Sequence, residues 1–137
     1  MWSERQLIYL AGIMDGEGTF YISKEFRHRM YVVNTDERMI RWLKHNFGGL
    51  TYKRNSKKNP HWRTKLEWVL VKAEIMEICE AIIPYLVCKK EQAEVMVKFR
   101  KSFTNSAGHH ISEKTRDFRK LCYKEMKELN HRIPLPL

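Results

Sequence analysis

Residues 10–18 read Leu10-Ala11-Gly12-Ile13-Met14-Asp15-Gly16-Glu17-Gly18, an apolar run that turns abruptly acidic and glycine-rich. The apolar spacing extends back to Leu7. Ser3 and Gln6 form a capping-box pair ahead of it, with Trp2 and Leu7 at the spacing of a hydrophobic staple. The spacing predicts a helix from Ser3 that ends at Asp15 and Glu17. Carboxylates at a helix C-terminus face the negative end of its dipole and cost about a few tenths of a kcal/mol. Such an arrangement asks for a compensating partner. A hard divalent cation, which takes carboxylate and carbonyl oxygens, answers it. Glycines at 16 and 18 let the backbone come close to whatever binds. Leu7, Ile8, Tyr9, Leu10, Ala11, Ile13 and Met14 are apolar all round the helix, which predicts burial on more than one side. One side can pack on the chain's own sheet and the other on a second copy, with small Ala11 and Gly12 allowing close approach.

The 137 residues predict a single domain, with 26 Lys/Arg against 16 Asp/Glu and a formal charge of +10. The excess is confined: residues 23–65 hold twelve Lys/Arg and three acids. A local excess of that size points to a polyanion rather than to an evenly solvated surface. Three cysteines, Cys79, Cys88 and Cys122, are too few and too scattered for a zinc pattern and odd in number for a disulfide framework. All three read as reduced core residues. His109-His110 lies in a Gly-containing loop with no cysteine nearby, which argues against a metal role. No apolar run reaches membrane-spanning length and no signal peptide opens the chain, so a soluble, intracellular protein is expected. A bacterial or phage cytoplasm and an organelle are not distinguished.

Outward from the first helix, residues 19–34 predict a hairpin. Its outgoing strand runs from Thr19 to Phe26, its turn lies at 27–29, and its return strand spans Met30 to Asn34. Residues 36–47 predict a helix capped by Asp36 and ended by Gly48-Gly49. A second hairpin follows: one strand over 50–55, a basic turn over 56–60 and a strand over 61–71. Helices are expected over 72–86, 90–103 and 112–130, the last with Phe118, Leu121, Cys122 and Leu129 inward. The tail Pro134-Leu-Pro-Leu137 cannot continue a helix. Two hairpins and intervening helices give an α+β class, a four-stranded antiparallel sheet with helices on one face.

The stretch 10–18 resembles the LAGLIDADG motif of homing endonucleases, with Ile13, Met14, Gly16 and Glu17 as departures. The order αββαββα is also the core topology of that family, so the resemblance spans about residues 3–103, with 104–137 a C-terminal helical extension. It implies a site-specific endonuclease that cuts double-stranded DNA by metal-dependent phosphodiester hydrolysis, as in intron homing. The motif's next-to-last acid, Glu17, would bind Mg²⁺ together with the Gly16 carbonyl, with Mn²⁺ or Ca²⁺ standing in for it in binding. Asp15 matches the position that supports the motif turn. Lys89, after Pro84-Tyr85-Leu86, matches the basic residue that family members keep near the reaction centre, with Lys90 as the fallback. Asn34 and Arg38 match residues around the water pocket.

In that reading the polar face of the sheet meets the major groove. Alternation assigns to it Tyr21, Ser23, Glu25, Arg27, Arg29 and Tyr31, then Lys53, Asn55, Arg63, Lys65 and Glu67. Lys57 and Lys58 in the second turn are phosphate contacts. A duplex has two strands to cut and the chain carries one motif, so the reading implies a homodimer on a palindromic or near-palindromic target. Its seam would run over Leu7, Leu10, Ala11, Gly12 and Met14. The alternative is a protein of the same fold that does not cut, such as an intron RNA maturase or another nucleic-acid-binding module.

Overall fold

The computed structural model describes residues 1–54, 64–103 and 111–132. Helix α1 (Glu4–Glu17) begins where the capping pair puts it. The Ser3 hydroxyl accepts from the Gln6 N–H, and the Gln6 side chain accepts from the Ser3 N–H. β1 (Gly18–Ile22) follows with no linker. A Cβ at Gly18 would lie 2.7 Å from the Met14 Cα, so only glycine lets the strand leave this close to the last helical turn.

β2 (His28–Asn34) returns antiparallel, with Gly18 opposite Val32 and Ile22 opposite His28. The first hairpin closes earlier than alternation predicts. The Ser23 N–H donates to the Arg27 carbonyl, the Ser23 hydroxyl accepts from the Arg27 N–H, and Phe26 adopts φ +65°. A serine that bonds its neighbouring backbone competes with the strand ladder, and here it wins.

α2 (Glu37–Phe47) is capped by the Asp36 carboxylate and ends at Gly48-Gly49, both at positive φ. At Gly49 a Cβ would also meet the Val69 carbonyl at 2.5 Å. β3 (Leu50–Arg54) and β4 (Lys65–Val71) complete an antiparallel sheet in the order β1-β2-β4-β3. α3 (Ala73–Ile82) tightens into a 3-10 turn at Ile83–Tyr85 around Pro84, and α4 (Lys90–Lys101) and α5 (Glu113–Asn130) follow. Among the described residues no helix is long and apolar enough to cross a membrane.

One sheet face supplies Phe20, Ile22, Met30, Val32, Trp68 and Leu70 to the core, all buried with the inner residues of α1, α2, α3 and α4. Period-two alternation sends Tyr21, Arg29, Tyr31, Glu67 and Val69 to the other face, outside that core. α5 closes the edge of β1, where the Asn130 amide donates to the Phe20 carbonyl at 2.8 Å. Its inward stripe is Arg119, Cys122 and Met126, while Phe118 and Leu121, expected inside, are exposed. The Arg119 guanidinium lies 3.8 Å over the Phe103 ring and donates to the Ser102 hydroxyl and carbonyl at 3.0 and 2.9 Å. A long cation can cover an aromatic as well as a hydrophobe does, which apolar periodicity does not anticipate. Cys79 and Cys122 are buried as expected, but Cys88 is exposed.

His28 packs between Phe99 and Phe103, each ring centroid 5.4 Å away, with its Nε2 buried and without a partner among the described residues. Burial, reinforced by Arg100 and Arg119, lowers its pKa to about 4, against a smaller opposing hydrogen bond to the Lys72 backbone. The unfolded histidine titrates near 6.5, so the unfolded chain binds the extra proton between these values. This contribution to stability is therefore full above pH 6.5 and is lost as the pH falls toward 4. Urea midpoints measured across that window should fall with pH, and His28→Leu should flatten that slope. An unchanged slope in the variant would show that other groups carry it.

Candidate functional site

The acidic end of α1 divides its two carboxylates between different tasks. Asp15 accepts from three backbone donors 72 to 74 residues away: Val87 N–H at 2.9 Å, Cys88 N–H at 2.9 Å and Lys89 N–H at 3.0 Å. These donors stand at the start of α4, for which Lys89 is the N-cap residue. The positive end of the α4 dipole thus meets the negative charge that α1 disfavours. Glu17 is exposed and makes no hydrogen bond or ion pair among the described residues. Lys89 is drawn into the same corner, half-buried, with its ammonium donating to the Gly18 carbonyl. Burial pushes the Lys89 ammonium below the ordinary lysine range, and the charges of Asp15, Cys88 and Glu17 oppose that shift.

Asn34 ends β2 two residues beyond Val32, the partner of Gly18, at the sheet end where α1 passes into β1. Its side-chain oxygen accepts from the Asp36 N–H at 2.7 Å. Arg38 lies at the start of α2 and forks onto the Asp36 carboxylate, Nε to Oδ1 at 3.1 Å and Nη2 to Oδ2 at 2.8 Å. That guanidinium holds the Asp36 carboxyl at about 2. Among the described residues no group of three or more His, Cys, Asp or Glu side chains clusters as a metal cage. Glu17 nevertheless suits a hard cation. It is a carboxylate without a partner, beside last-turn carbonyls, Gly16 among them, that lie past the helix's own donors.

The open sheet face carries three of the residues expected there, Tyr21, Arg29 and Tyr31, in one patch. The Arg29 guanidinium carbon sits 5.2 Å from the Tyr21 ring centroid and 4.7 Å from that of Tyr31. Lys65 is also on this face, paired with Arg54. Lys53 is not: it pairs with Leu66, whose side chain packs on the core, so Lys53 points to the helix side. It lines a groove of about 720 Å³ between α2 and β3 with Arg41, Lys44 and His45. A one-residue difference in strand phase moves every side chain to the other face, and Arg54 takes the place alternation assigned to Lys53. Glu67 lies on the open face but is only 2% exposed, with its carboxylate accepting from Arg54 Nε at 2.7 Å. Ser23 is buried in the first turn, where it holds Arg27, and Glu25 and Arg27 are exposed turn residues rather than strand residues. Asn55, Lys57, Lys58 and Arg63 lie outside the described residues.

Of the residues expected at a seam on α1, Leu10, Ala11 and Met14 are fully buried in the chain's own core. The free face of the helix carries Ile8 (48% exposed), Tyr9 (50%), Gly12 and Gly16, and Leu7 is half-buried. Nothing lies within 4 Å of a Cβ placed at Gly12 or Gly16.

Replacing Asp15 by Ala removes the acceptor for three N–H groups at the start of α4. We expect a loss of about 2 kcal/mol in unfolding free energy, read from denaturant titration. A change below about 0.5 kcal/mol would mean that water satisfies those donors equally well.

No family model matches the sequence, and no curated protein matches it. The fold has clear relatives. The homing endonuclease I-CvuI, solved in complex with its target in the presence of calcium, matches with a TM-score of 0.76 at 19% identity, covering 97% of this chain and 87% of that one. The same enzyme with the I-CreI target in the presence of magnesium, its DNA not cleaved, gives 0.73 at 17% identity, covering 98% and 87%. The archaeal intron-encoded homing endonuclease I-Vdi141I, complexed with DNA, gives 0.75 at 12% identity, covering 96% and 87%. The resemblance first carried by Leu10–Gly18 therefore extends to the whole architecture: this chain has the fold of the single-motif LAGLIDADG homing endonucleases.

Proposed function

We propose that the protein is a divalent-metal-dependent, site-specific DNA endonuclease that acts as a homodimer on a palindromic or near-palindromic duplex. The observation that carries this reading is the division of labour at the end of α1. Asp15 is consumed by the start of α4, while Glu17 stands exposed and unpaired within charge range of Lys89. The DNA-bound state of the structural relatives supports the choice of substrate.

Glu17 and the Gly16 carbonyl would hold Mg²⁺, with Mn²⁺ or Ca²⁺ able to replace it in binding. One chain offers too few ligands for the six or so oxygens such a cation takes, so the second copy and the DNA phosphates supply the rest. A divalent cation held there would supply Lewis acidity, making a water more acidic and offsetting charge on the phosphate. The remaining work falls to the chain's own residues. Lys89, pinned by its backbone to Asp15 and by its ammonium to the Gly18 carbonyl, presents a fixed positive charge to the phosphate as negative charge builds there. Asn34 and Arg38 line the approach from β2 and α2. The open sheet face lies along the major groove, where Tyr21, Arg29, Tyr31, Lys65 and Arg54 meet base edges and phosphates. Lys57, Lys58, Asn55 and Arg63 extend that contact.

Two copies associate through the free face of α1. Glycine inside a helix costs about 1 kcal/mol relative to alanine, and nothing within the chain requires it at Gly12 or Gly16. A second helix packed against that face does. A non-cutting role on intron RNA is the alternative; the free acid at Glu17 favours the enzyme.

Purified protein with Mg²⁺ should linearise a plasmid carrying its site. Glu17→Gln should lower that rate by at least about 100-fold while leaving DNA affinity within a few fold. Cutting by the variant at a rate near that of the parent would remove Glu17 from the metal site, and tight binding to an intron RNA with no cutting of any DNA would favour the alternative. For the assembly, Gly12→Leu should yield a folded monomer by sedimentation, because Gly12 is exposed and no described atom lies within 4 Å of a Cβ placed there. A variant that remains a dimer would place the seam elsewhere.

A further inference from the structure

Charged side chains on a strand face are usually free to wander, and a wandering cation finds a phosphate more readily than a particular base. Two arginines on the open face are held. Arg54 is tied through its Nε to Glu67, an acid only 2% exposed, while Arg54 itself remains exposed. An arginine gripped at Nε keeps both terminal nitrogens, and its planar fork, for an outside partner. Arg29 is held differently, with its guanidinium against the rings of Tyr21 and Tyr31 and its Nε buried without an acceptor among the described residues. Lys65, the neighbour of Arg54, and Lys24 and Arg27 in the first turn are exposed and make no comparable contact among the described residues.

We infer that Arg54 and Arg29 are the two base-reading residues of each half-site, each presenting a preset fork to the O6 and N7 of a guanine, and that the exposed lysines around them contact phosphate. This inference rests on the DNA-cutting reading above. A bidentate arginine fork matches guanine in the major groove, and prior immobilisation lowers the entropy lost on contact. The register also sets a spacing. Arg29 pairs with Val71 and Arg54 with Lys65, so the two lie six residues apart along β4 and two strand spacings apart across the sheet. At about 3.3 Å per residue and about 4.8 Å per strand, that is roughly 22 Å. Base pairs at about 3.4 Å each place the two guanines roughly six base pairs apart. Arg54 stands at the sheet end that carries Glu17 and Asn34, so its guanine lies nearer the cut and that of Arg29 farther out.

The test is selection from a duplex library with symmetric randomised half-sites, by binding in Ca²⁺ and by cutting in Mg²⁺. The full-length protein is compared with Arg54→Lys and Arg29→Lys, which keep charge but lose the fork. The parent should enrich half-sites bearing two guanines about six base pairs apart. Arg54→Lys should lose preference at the inner guanine by roughly 5- to 150-fold and keep the outer one, and Arg29→Lys should do the reverse. Arg54→Lys could disturb folding by leaving Glu67 poorly paired. The double variant Arg54→Leu with Glu67→Leu removes both charges together and must lose the same inner preference. Enriched sites without the paired guanines, or variants that weaken binding evenly at all sequences, would overturn the inference and leave the nuclease reading intact. A parent that enriches no sequence and cuts none would overturn both.

Discussion

The carboxylate of Asp15 resolves a conflict that the chain creates for itself. An acid in the last turn of α1 opposes the helix dipole, and three N–H groups at the start of α4 have no helical partner of their own. Joining them removes both penalties at once, and it does so across more than 70 residues of sequence. The join also locates the site. It holds the Lys89 backbone against the end of α1, and the Lys89 ammonium reaches the Gly18 carbonyl one residue past Glu17. The cation and the free acid are thereby brought into one corner with neither neutralising the other at contact distance. In the proposed nuclease reading, that separation leaves room for both a metal and a phosphate.

The glycines of the same stretch divide in a parallel way. Gly18 answers to the chain's own interior, where any side chain would strike Met14. Gly12 and Gly16 answer to nothing inside it. Two glycines four residues apart on an open helix face weaken an isolated helix, so their presence is better explained by what approaches from outside. The apolar residues Leu10, Ala11, Ile13 and Met14 of the same helix are spent on the core. One helix can thus be apolar all round and still have two different sides, Leu10, Ala11, Ile13 and Met14 inward and Ile8, Tyr9, Gly12 and Gly16 outward.

This division marks the boundary of what the amino-acid pattern discloses. The start of α1, the extent of α2 and the strand count were legible because each rests on local signals: a capping pair, a 3.6-residue period, a Gly-Gly stop. Which side of α1 faces the core and which stays open was not legible, because an all-round apolar helix offers no contrast to read. β3 failed for a related reason. Every residue of Leu50–Arg54 is exposed, so the strand presents no alternation, and only its pairing to β4 shows that Arg54 rather than Lys53 faces outward. Glu67 falls on the face assigned to it, but buried against Arg54 rather than open to solvent. A charge on a central strand is surrounded by its neighbours, and its value depends on which of them can pair with it. The first turn departed because a single hydroxyl, that of Ser23, bonds the backbone and ends the strand before its alternation runs out.

The local excess of positive charge between residues 23 and 65 also looks different once its described cations are placed. Arg38 and Arg41 are engaged by the Asp36 and Glu37 carboxylates at the start of α2. Lys44 and Lys53 belong to the groove behind the sheet. On the open face, Arg29 and Arg54 are restrained and Lys65 is exposed. Net charge draws a polyanion to the whole molecule and sets how steeply affinity falls with salt, but it carries no sequence information. In the proposed role, side chains held in place before the DNA arrives would carry that information. On this face it is a buried acid and a pair of tyrosine rings, neither of them basic, that provide the restraint. In the proposed DNA-reading role, the residues that set recognition therefore include several that a count of positive charge passes over.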